Sequence, residues 1–357
     1  WLKQASNSQS DSELPRFLLR RQVHVMIFPH AGERSLNATS LNFAALNSNA
    51  ILRLESTDWS VQDGYHELFV ASAIWVSVWV TLFYILSCSF PYWIAKVEPS
   101  TKPHENDRYW CARNVLGIVH AILIVLFSVP SMLVLVFRAP HEIQFANSNH
   151  VGTCSVMEGH PEQNAYKFWL QAVATGGLAF TTFTFADIFI SLGHRLATAD
   201  YIVHHIAFVT AGVIIRGYCM LPLAASILMA MEVSTPFLNW LMFFRHRGEK
   251  YKFQVVVSGS LFFATFLVFR VILNTYGTID LLISEANGNA LPDKVEEWQT
   301  VFLMVAVTAG ALVQLYWLPG ICHAFGTSLW ALLTTGSMEK EEASRTPSLK
   351  SEQLEEE

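Results

Sequence analysis

The sequence predicts an all-α, polytopic membrane protein with about seven transmembrane helices. Hydrophobic residues make up 52% of the 357-residue chain and charged residues only 15%, whereas soluble domains carry about 25% charged residues. The hydrophobic residues are also gathered into runs, and most runs reach the roughly 20 residues that a helix needs to cross a bilayer. The formal net charge is −6, so we expect no nucleic-acid partner.

The chain divides into three segments by composition. Residues 1–66 are polar and rich in Ser and Asn, which predicts an exposed N-terminal segment. Residues 336–357 are charged and lack apolar periodicity, which predicts a disordered tail. Residues 67–335 form the predicted membrane domain, with apolar runs at 68–94, 113–137, 168–192, 201–215, 218–244, 253–276 and 299–333.

The fourth run is short and polar, and it leaves an alternative to seven spans. Only Arg216 and Gly217 separate it from the fifth run. The two runs could therefore form one helix that bends near Pro222, because proline interrupts the helical hydrogen bonds. We favour seven separate spans.

The distribution of Lys and Arg predicts the orientation of the chain. With seven spans, the loops at 96–113, 193–200 and 245–252 share one side with the C-terminal tail, and together they carry 12 Lys and Arg residues. The opposite loops carry 4. Because basic loops stay on the cytosolic side, we expect a cytosolic C-terminus and a luminal N-terminus. The glycosylation sequon at Asn37 is then luminal.

The sequence shows no metal-binding pattern. The five cysteines have no CxxC spacing, and we interpret them as structural thiols. An HExxH motif is absent, and Tyr201 stands where an HxxHH box would need its first histidine. We therefore expect neither a metal site nor a tightly bound cofactor.

Polar residues recur inside the apolar runs. Asp200 and His204 are one helical turn apart, so the carboxylate could orient the imidazole, whereas His205 points about 100° away. Intramembrane ionisable groups cost roughly 2.5–3.5 kcal/mol each and usually face the bundle interior. Further stripes at helical spacing suggest a shared polar interior, namely Arg113, Gly117 and His120; Asp187, Ser191 and His194; Glu232, Thr235 and Asn239; Arg270 and Asn274; and Gln314 and His323.

These side chains admit a chemical and a structural interpretation. A histidine beside a carboxylate can act as a general base, and histidine can also carry an acyl group. Alternatively, the histidines are interhelical hydrogen-bond donors, and Arg270 neutralises Glu232 or Asp187. Asn239 could serve only to satisfy backbone groups that Pro236 leaves free.

Five pieces of the sequence, in order, resemble the TLC-domain family, which includes the translocating-chain-associated membrane protein and the ceramide synthases. The pieces are WCARNVLGIVH (110–120), FADIFISLGH (185–194), DYIVHHIAF (200–208), MEVSTPFLNWLMFF (231–244) and FLVFRVI (266–272). The similarity is strongest in the ExSTPFLN segment, and the looser resemblance runs from about 67 to 333.

The resemblance implies a barrel of six helices around a lipid-accessible cavity in the endoplasmic reticulum. Ceramide synthases of the family transfer a fatty acyl group from acyl-CoA to a sphingoid base. Their double histidine corresponds to His204 and His205, and their intramembrane acidic residues to Asp187 and Asp200. We assign these four residues as candidate catalytic residues. Candidate ligand contacts are His120, Glu232, Asn239 and Arg270.

The sequence departs from the ceramide synthases after the histidine pair. The synthases carry a longer acidic block there, whereas this chain has EVSTPFLN, as in the smaller TLC-domain proteins. Three functions therefore remain open. The first, which we favour, is a role in membrane lipid composition or sphingolipid homeostasis, with membrane lipids as partners. The second is an acyl-CoA-dependent N-acyltransferase. The third is a non-enzymatic cargo receptor or lipid-binding protein that uses loops such as 139–166, and association between copies is compatible with all three.

Overall fold

The computed structural model describes residues 61–145, 161–288, 290–291 and 295–345, and it gives the backbone alone for 61–67, 161–164 and 328–345. Within these residues the chain forms helices and no strand, so the all-α prediction is confirmed. Asn37 and most of the loop 139–166 lie outside the described residues.

Ten α-helices account for most of the described chain. They are α1 (Val61–Ile94), α2 (Arg108–Phe137), α3 (His141–Gln144), α4 (Pro161–Gly193), α5 (Ala199–Tyr218), α6 (Pro222–Ala230), α7 (Thr235–Phe244), α8 (Lys252–Thr265), α9 (Asn274–Ala286) and α10 (Glu297–Arg345). A π-helix, Phe266–Leu273, joins α8 to α9, and a 3₁₀-helix, Met231–Ser234, joins α6 to α7. Helix α10 thus includes ten residues of the segment predicted as a tail.

Seven helical segments are long and apolar enough to cross a membrane, as predicted. They are Leu68–Ile94, Arg108–Phe137, Ala165–Gly193, Ala199–Tyr218, Pro222–Phe244, Glu249–Ala286 and Glu297–Thr327. The fourth and fifth spans are separate. Cys219 and Leu221 adopt left-handed backbone conformations with φ of 48° and 55°, which reverse the chain, and Pro222 begins α6 at a position that needs no amide donor.

The spans pack in a defined neighbour order. Helix α2 contacts α4 and α7, α4 contacts α5, α7 contacts α8, and α10 contacts both α8 and α5. Helix α1 packs on α2 and α4, and α6 also packs on α2 and α4. The main hydrophobic cluster fills the contact between α1, α2, α4 and α6, and it includes Phe83, Leu116, Ile124 and Ile227.

One cysteine differs from the prediction of free structural thiols. Cys219 is disulfide-bonded, whereas Cys88, Cys111 and Cys322 are free. Cys154 lies outside the described residues. Cys219 lies at the left-handed reversal between α5 and α6.

A buried ionic cluster joins the loop before α2 to the loop after α7. The Glu105 side chain is fully buried; it accepts a hydrogen bond from Ser100 Oγ at 2.6 Å, and His246 Nδ1 lies 2.9 Å from its Oε1. Arg245 Nη2 lies 3.5 Å from the same carboxylate. The buried Arg247 donates to the Glu105 backbone oxygen at 2.8 Å. These contacts hold the loops together at the end of the bundle where α2 begins.

Glu105 makes the stability of the fold depend on pH. Burial alone would raise the pKa of its carboxyl, but hydrogen bonds from Ser100 and His246 and the charges of His246 and Arg245 bring that pKa below the usual value of 4.5. A carboxyl with a lowered folded pKa stabilises the protein fully above its unfolded pKa. This stabilisation is lost as the pH falls through the folded pKa.

We expect Glu105→Gln to lower the melting temperature at neutral pH and to flatten its decline below about pH 4.5. The measurement is the melting temperature of the detergent-purified protein across an acid pH series. Glu249→Gln is the matched control, because the Glu249 side chain is 92% exposed. If the melting temperature of Glu105→Gln fell with pH as steeply as that of the wild type, acid would not destabilise the protein through this cluster.

Candidate functional site

The centre of the candidate site is the buried carboxylate of Asp187 on α4. Its Oδ1 accepts a hydrogen bond from Arg113 Nε at 2.8 Å, and its Oδ2 accepts one from Arg113 Nη2 at 3.0 Å. Such a two-point contact fixes both side chains, because the planar guanidinium matches the carboxylate. Ser191 Oγ, one turn further along α4, lies 3.4 Å from Oδ1. Helices α2 and α4 are thus joined by a charged pair inside the bundle.

His205 on α5 is held at both ring nitrogens. Nε2 lies 3.3 Å from Asp187 Oδ2, and Nδ1 lies 3.0 Å from the backbone oxygen of Tyr201. Both ring nitrogens thus lie within reach of an oxygen acceptor. The ring centroids of Tyr201 and His205 lie 3.7 Å apart. The guanidinium carbon of Arg113 lies 4.5 Å from the centroid of the same Tyr201 ring. His205 is therefore a fixed part of the site.

The side chain of His204 is less constrained than that of the neighbouring His205. Its side chain is exposed, and it makes ring contacts with Phe208 at 4.6 Å and His205 at 5.7 Å. No hydrogen bond joins it to the described residues. Because both ring nitrogens are available, His204 is the histidine of the pair that can accept a proton or attack a carbonyl carbon.

A second polar group lies on the 3₁₀-helix, the start of α7 and the π-helix. Arg270 Nε donates to Ser234 Oγ at 2.6 Å, and its Nη2 donates to Thr235 Oγ1 at 3.0 Å. Glu232 Oε1 lies 3.9 Å from Nη2. The side chains of Arg270 and Glu232 retain 16% and 17% exposure, so this pair is mostly buried. π-Helical turns are often found at functional sites.

Three predicted site residues lie outside these two groups. Asp200 is exposed in the first turn of α5, and no hydrogen bond joins it to His204. His120 is buried against Phe183, with ring centroids 3.7 Å apart. The side-chain amide of Asn239 packs on Gly117. A Cβ added to Gly117 would lie only 2.7 Å from Asn239 Nδ2. The side chains of His120 and Asn239 both make packing contacts, and His120 Nε2 is buried without a hydrogen-bond partner among the described residues.

Sequence reasoning missed the residues that hold the site in place. Arg113 was noted on a polar stripe, but Arg270 was the expected partner of Asp187 or Glu232. In the structure Arg270 forms an ion pair with Glu232, and Asp187 forms one with Arg113. The signal that could have revealed this was depth along the spans, because Arg113 lies near the start of α2 and Asp187 lies near the end of α4, its neighbour in the structure.

Comparisons with known proteins identify the family. The profile of the TLC domain matches residues 73–323, which overlap all seven spans. No curated protein and no solved structure gives a significant match. The match covers most of the chain and contains both polar groups of the site, so the chain is a multi-pass membrane protein that belongs to the TLC-domain family.

Proposed function

We propose that this TLC-domain protein governs membrane lipid composition by transferring a fatty acyl group from acyl-CoA to the amine of a sphingoid base. The observation that carries the proposal is the unequal histidine pair. His205 is bound to Asp187 and Tyr201, whereas His204 is exposed and has no hydrogen-bond partner among the described residues. A free imidazole beside a fixed charged network is suited to moving a proton.

The proposed reaction forms an amide and breaks a thioester. The amine nitrogen attacks the thioester carbonyl carbon while His204 accepts the proton from the amine. The C–S bond then breaks, and His204 returns the proton to the leaving CoA thiolate, so the products are an amide and free CoA. Arg270 uses Nε and one Nη2 hydrogen for Ser234 and Thr235, and its remaining N–H donors are proposed to stabilise negative charge on the carbonyl oxygen.

The proposal includes a location and an orientation. We place the protein in the endoplasmic reticulum, by analogy with the family, with its N-terminus luminal. The charge asymmetry of the loops supports this orientation, and so does the disulfide at Cys219. Cys219 follows the fourth span, on the side predicted to be luminal, and disulfides persist in oxidising compartments.

The proposal predicts different effects for substitutions of the two histidines. We expect His204→Ala to abolish amide formation while leaving the melting temperature nearly unchanged, because its side chain makes few contacts. His205→Ala should lower both activity and stability, since it leaves Asp187 with one fewer partner. In the assay, purified protein is incubated with labelled acyl-CoA and a panel of sphingoid bases and lysolipids. Each variant is first checked for a monodisperse profile.

Product from the wild type that persists in His204→Ala would remove His204 from the reaction. No product from any acceptor, with co-purified lipids unchanged by the variant, would favour the non-enzymatic lipid-binding or receptor function. His323→Ala is a matched control, because His323 is an exposed histidine on α10 that the proposed reaction does not use.

A further inference from the structure

The Tyr201 ring contacts both basic side chains that bind the Asp187 carboxylate. The guanidinium carbon of Arg113 lies 4.5 Å from the centroid of this ring, and the centroid of the His205 ring lies 3.7 Å from it. Arg113 Nη2 and His205 Nε2 in turn lie 3.0 Å and 3.3 Å from the same oxygen of Asp187, Oδ2. The four side chains therefore form a closed circuit, in which Asp187 and Tyr201 each contact both Arg113 and His205.

The Tyr201 ring complements the charge of the carboxylate. Asp187 brings one negative charge to two basic side chains, Arg113 and His205. The face of an aromatic ring carries partial negative charge and attracts a guanidinium group within about 6 Å of its centroid. This attraction grows when the pair is removed from water, and the Arg113 side chain is only 20% exposed. The ring thus helps to hold Arg113 without the desolvation cost of a second buried carboxylate.

The position of Tyr201 on α5 links it to both histidines. Tyr201 and His205 are four residues apart, so they lie on one face of the helix, and the Tyr201 backbone oxygen lies 3.0 Å from His205 Nδ1. His204 and Phe208 form the next pair at the same spacing, with ring centroids 4.6 Å apart. The His204 ring also lies 5.7 Å from the His205 ring. A rotation of the His205 ring would therefore change the surroundings of His204.

We propose that Tyr201 is a positioning residue, whose ring holds Arg113 and His205 against Asp187 and thereby keeps the neighbouring His204 in its reactive orientation. The proposal rests on the proposed function for the role of His204, and it deepens that function by assigning it a further residue of α5. The aromatic ring is required rather than the phenol oxygen, because no hydrogen bond joins that oxygen to the described residues.

The test compares Tyr201→Phe, which keeps an aromatic ring, with Tyr201→Leu, which removes it. Purified protein is treated with diethyl pyrocarbonate, which modifies accessible imidazoles, and the modified histidines are identified by tandem mass spectrometry. In the wild type the exposed His204 should react quickly, and His205, whose side chain is 14% exposed, should react slowly. Tyr201→Leu should raise the reaction rate of His205 roughly fivefold, the scale expected for the loss of an aromatic ring contact. Tyr201→Phe should react as the wild type does.

His120 is the internal reference for a general loosening of the bundle. Its side chain is 2% exposed, and its ring stacks on Phe183, so it should stay unmodified in every variant. The matched control is Tyr316→Leu, because Tyr316 is 78% exposed on α10; it should leave His205 protected. Tyr201→Met is the second variant without a ring if Tyr201→Leu does not fold. Simultaneous modification of His205 and His120 in both variants would overturn the proposal, since the ring would then support only the fold as a whole.

Amide formation is the second readout, and it separates this proposal from the proposed reaction. Tyr201→Leu should lower kcat roughly fivefold with KM nearly unchanged, because the ring acts on the orientation of the base rather than on substrate binding. Tyr201→Phe should recover most of the loss. Equal reactivity of His205 in the wild type and both variants, or a wild-type kcat in Tyr201→Leu, would overturn the role of Tyr201. Release of His205 in Tyr201→Leu, in a protein that forms no amide from any acceptor, would support the positioning by Tyr201 and contradict the proposed reaction.

Discussion

Asp187→Asn is expected to destabilise the protein by about 3–5 kcal/mol, which is the usual cost of breaking a buried ion pair from one side. The carboxylate is 3% exposed and contacts Arg113, His205 and Ser191. An asparagine of the same shape keeps the packing but loses the negative charge, so it leaves Arg113 without a charged partner inside the bundle. We also expect amide formation to fall, because His205 loses the group that fixes its ring.

Asp200→Asn is the matched control for this prediction. It removes the same charge from an exposed carboxylate in the first turn of α5, where a surface change costs within about 0.5 kcal/mol. The measurement is chemical or thermal unfolding of both variants in the same detergent. Equal stability of Asp187→Asn and Asp200→Asn would show that the charged network does not hold α2, α4 and α5 together.

Gly212→Ala is expected to cost about 1–3 kcal/mol through overpacking between α4 and α5. An added Cβ would lie 2.1 Å from Thr181 Oγ1 and 3.0 Å from its Cγ2, so one helix must move away from the other. This contact lies about two turns from His205 on the same side of α5. The shift should therefore lengthen the distance from His205 to Asp187 and lower activity as well as stability.

The control for this prediction is Gly177→Ala on α4, where an added Cβ meets nothing within 4 Å. It should be neutral or slightly stabilising, because alanine favours the helix over glycine. The double variant Gly212→Ala with Thr181→Ala removes the two nearest atoms and should recover part of the lost melting temperature. No recovery in the double variant would mean that the cost does not arise at Thr181.

The spans were predictable because hydropathy is a local property of the chain. Length and composition alone separated seven apolar runs, and only the reversal at Cys219 and Leu221 was needed to decide between one bent helix and two. Likewise, the 100° between His204 and His205 showed that the two rings face different neighbours. Sequence spacing within one helix gives such directions directly.

Partners across helices were not predictable in the same way. Asp200 and His204 share a face by spacing, yet Asp200 lies exposed at the start of the helix without a hydrogen bond to His204. Which arginine meets Asp187 depends on which helices are neighbours, and spacing carries no such information. The Glu105 cluster was missed because its residues lie in loops without periodicity, and the disulfide at Cys219 because pairing depends on the tertiary fold.

The π-helix has a consequence for comparing related sequences. A π turn holds one more residue than an α turn, so every residue after Leu273 is rotated by about 100° relative to an uninterrupted α-helix. Deleting a single residue from 266–273 would restore a regular helix and turn either Arg270 or the whole of α9 away from its present neighbours. A one-residue gap at this point in an alignment of relatives would therefore mark a rearranged polar interior rather than a harmless change in length.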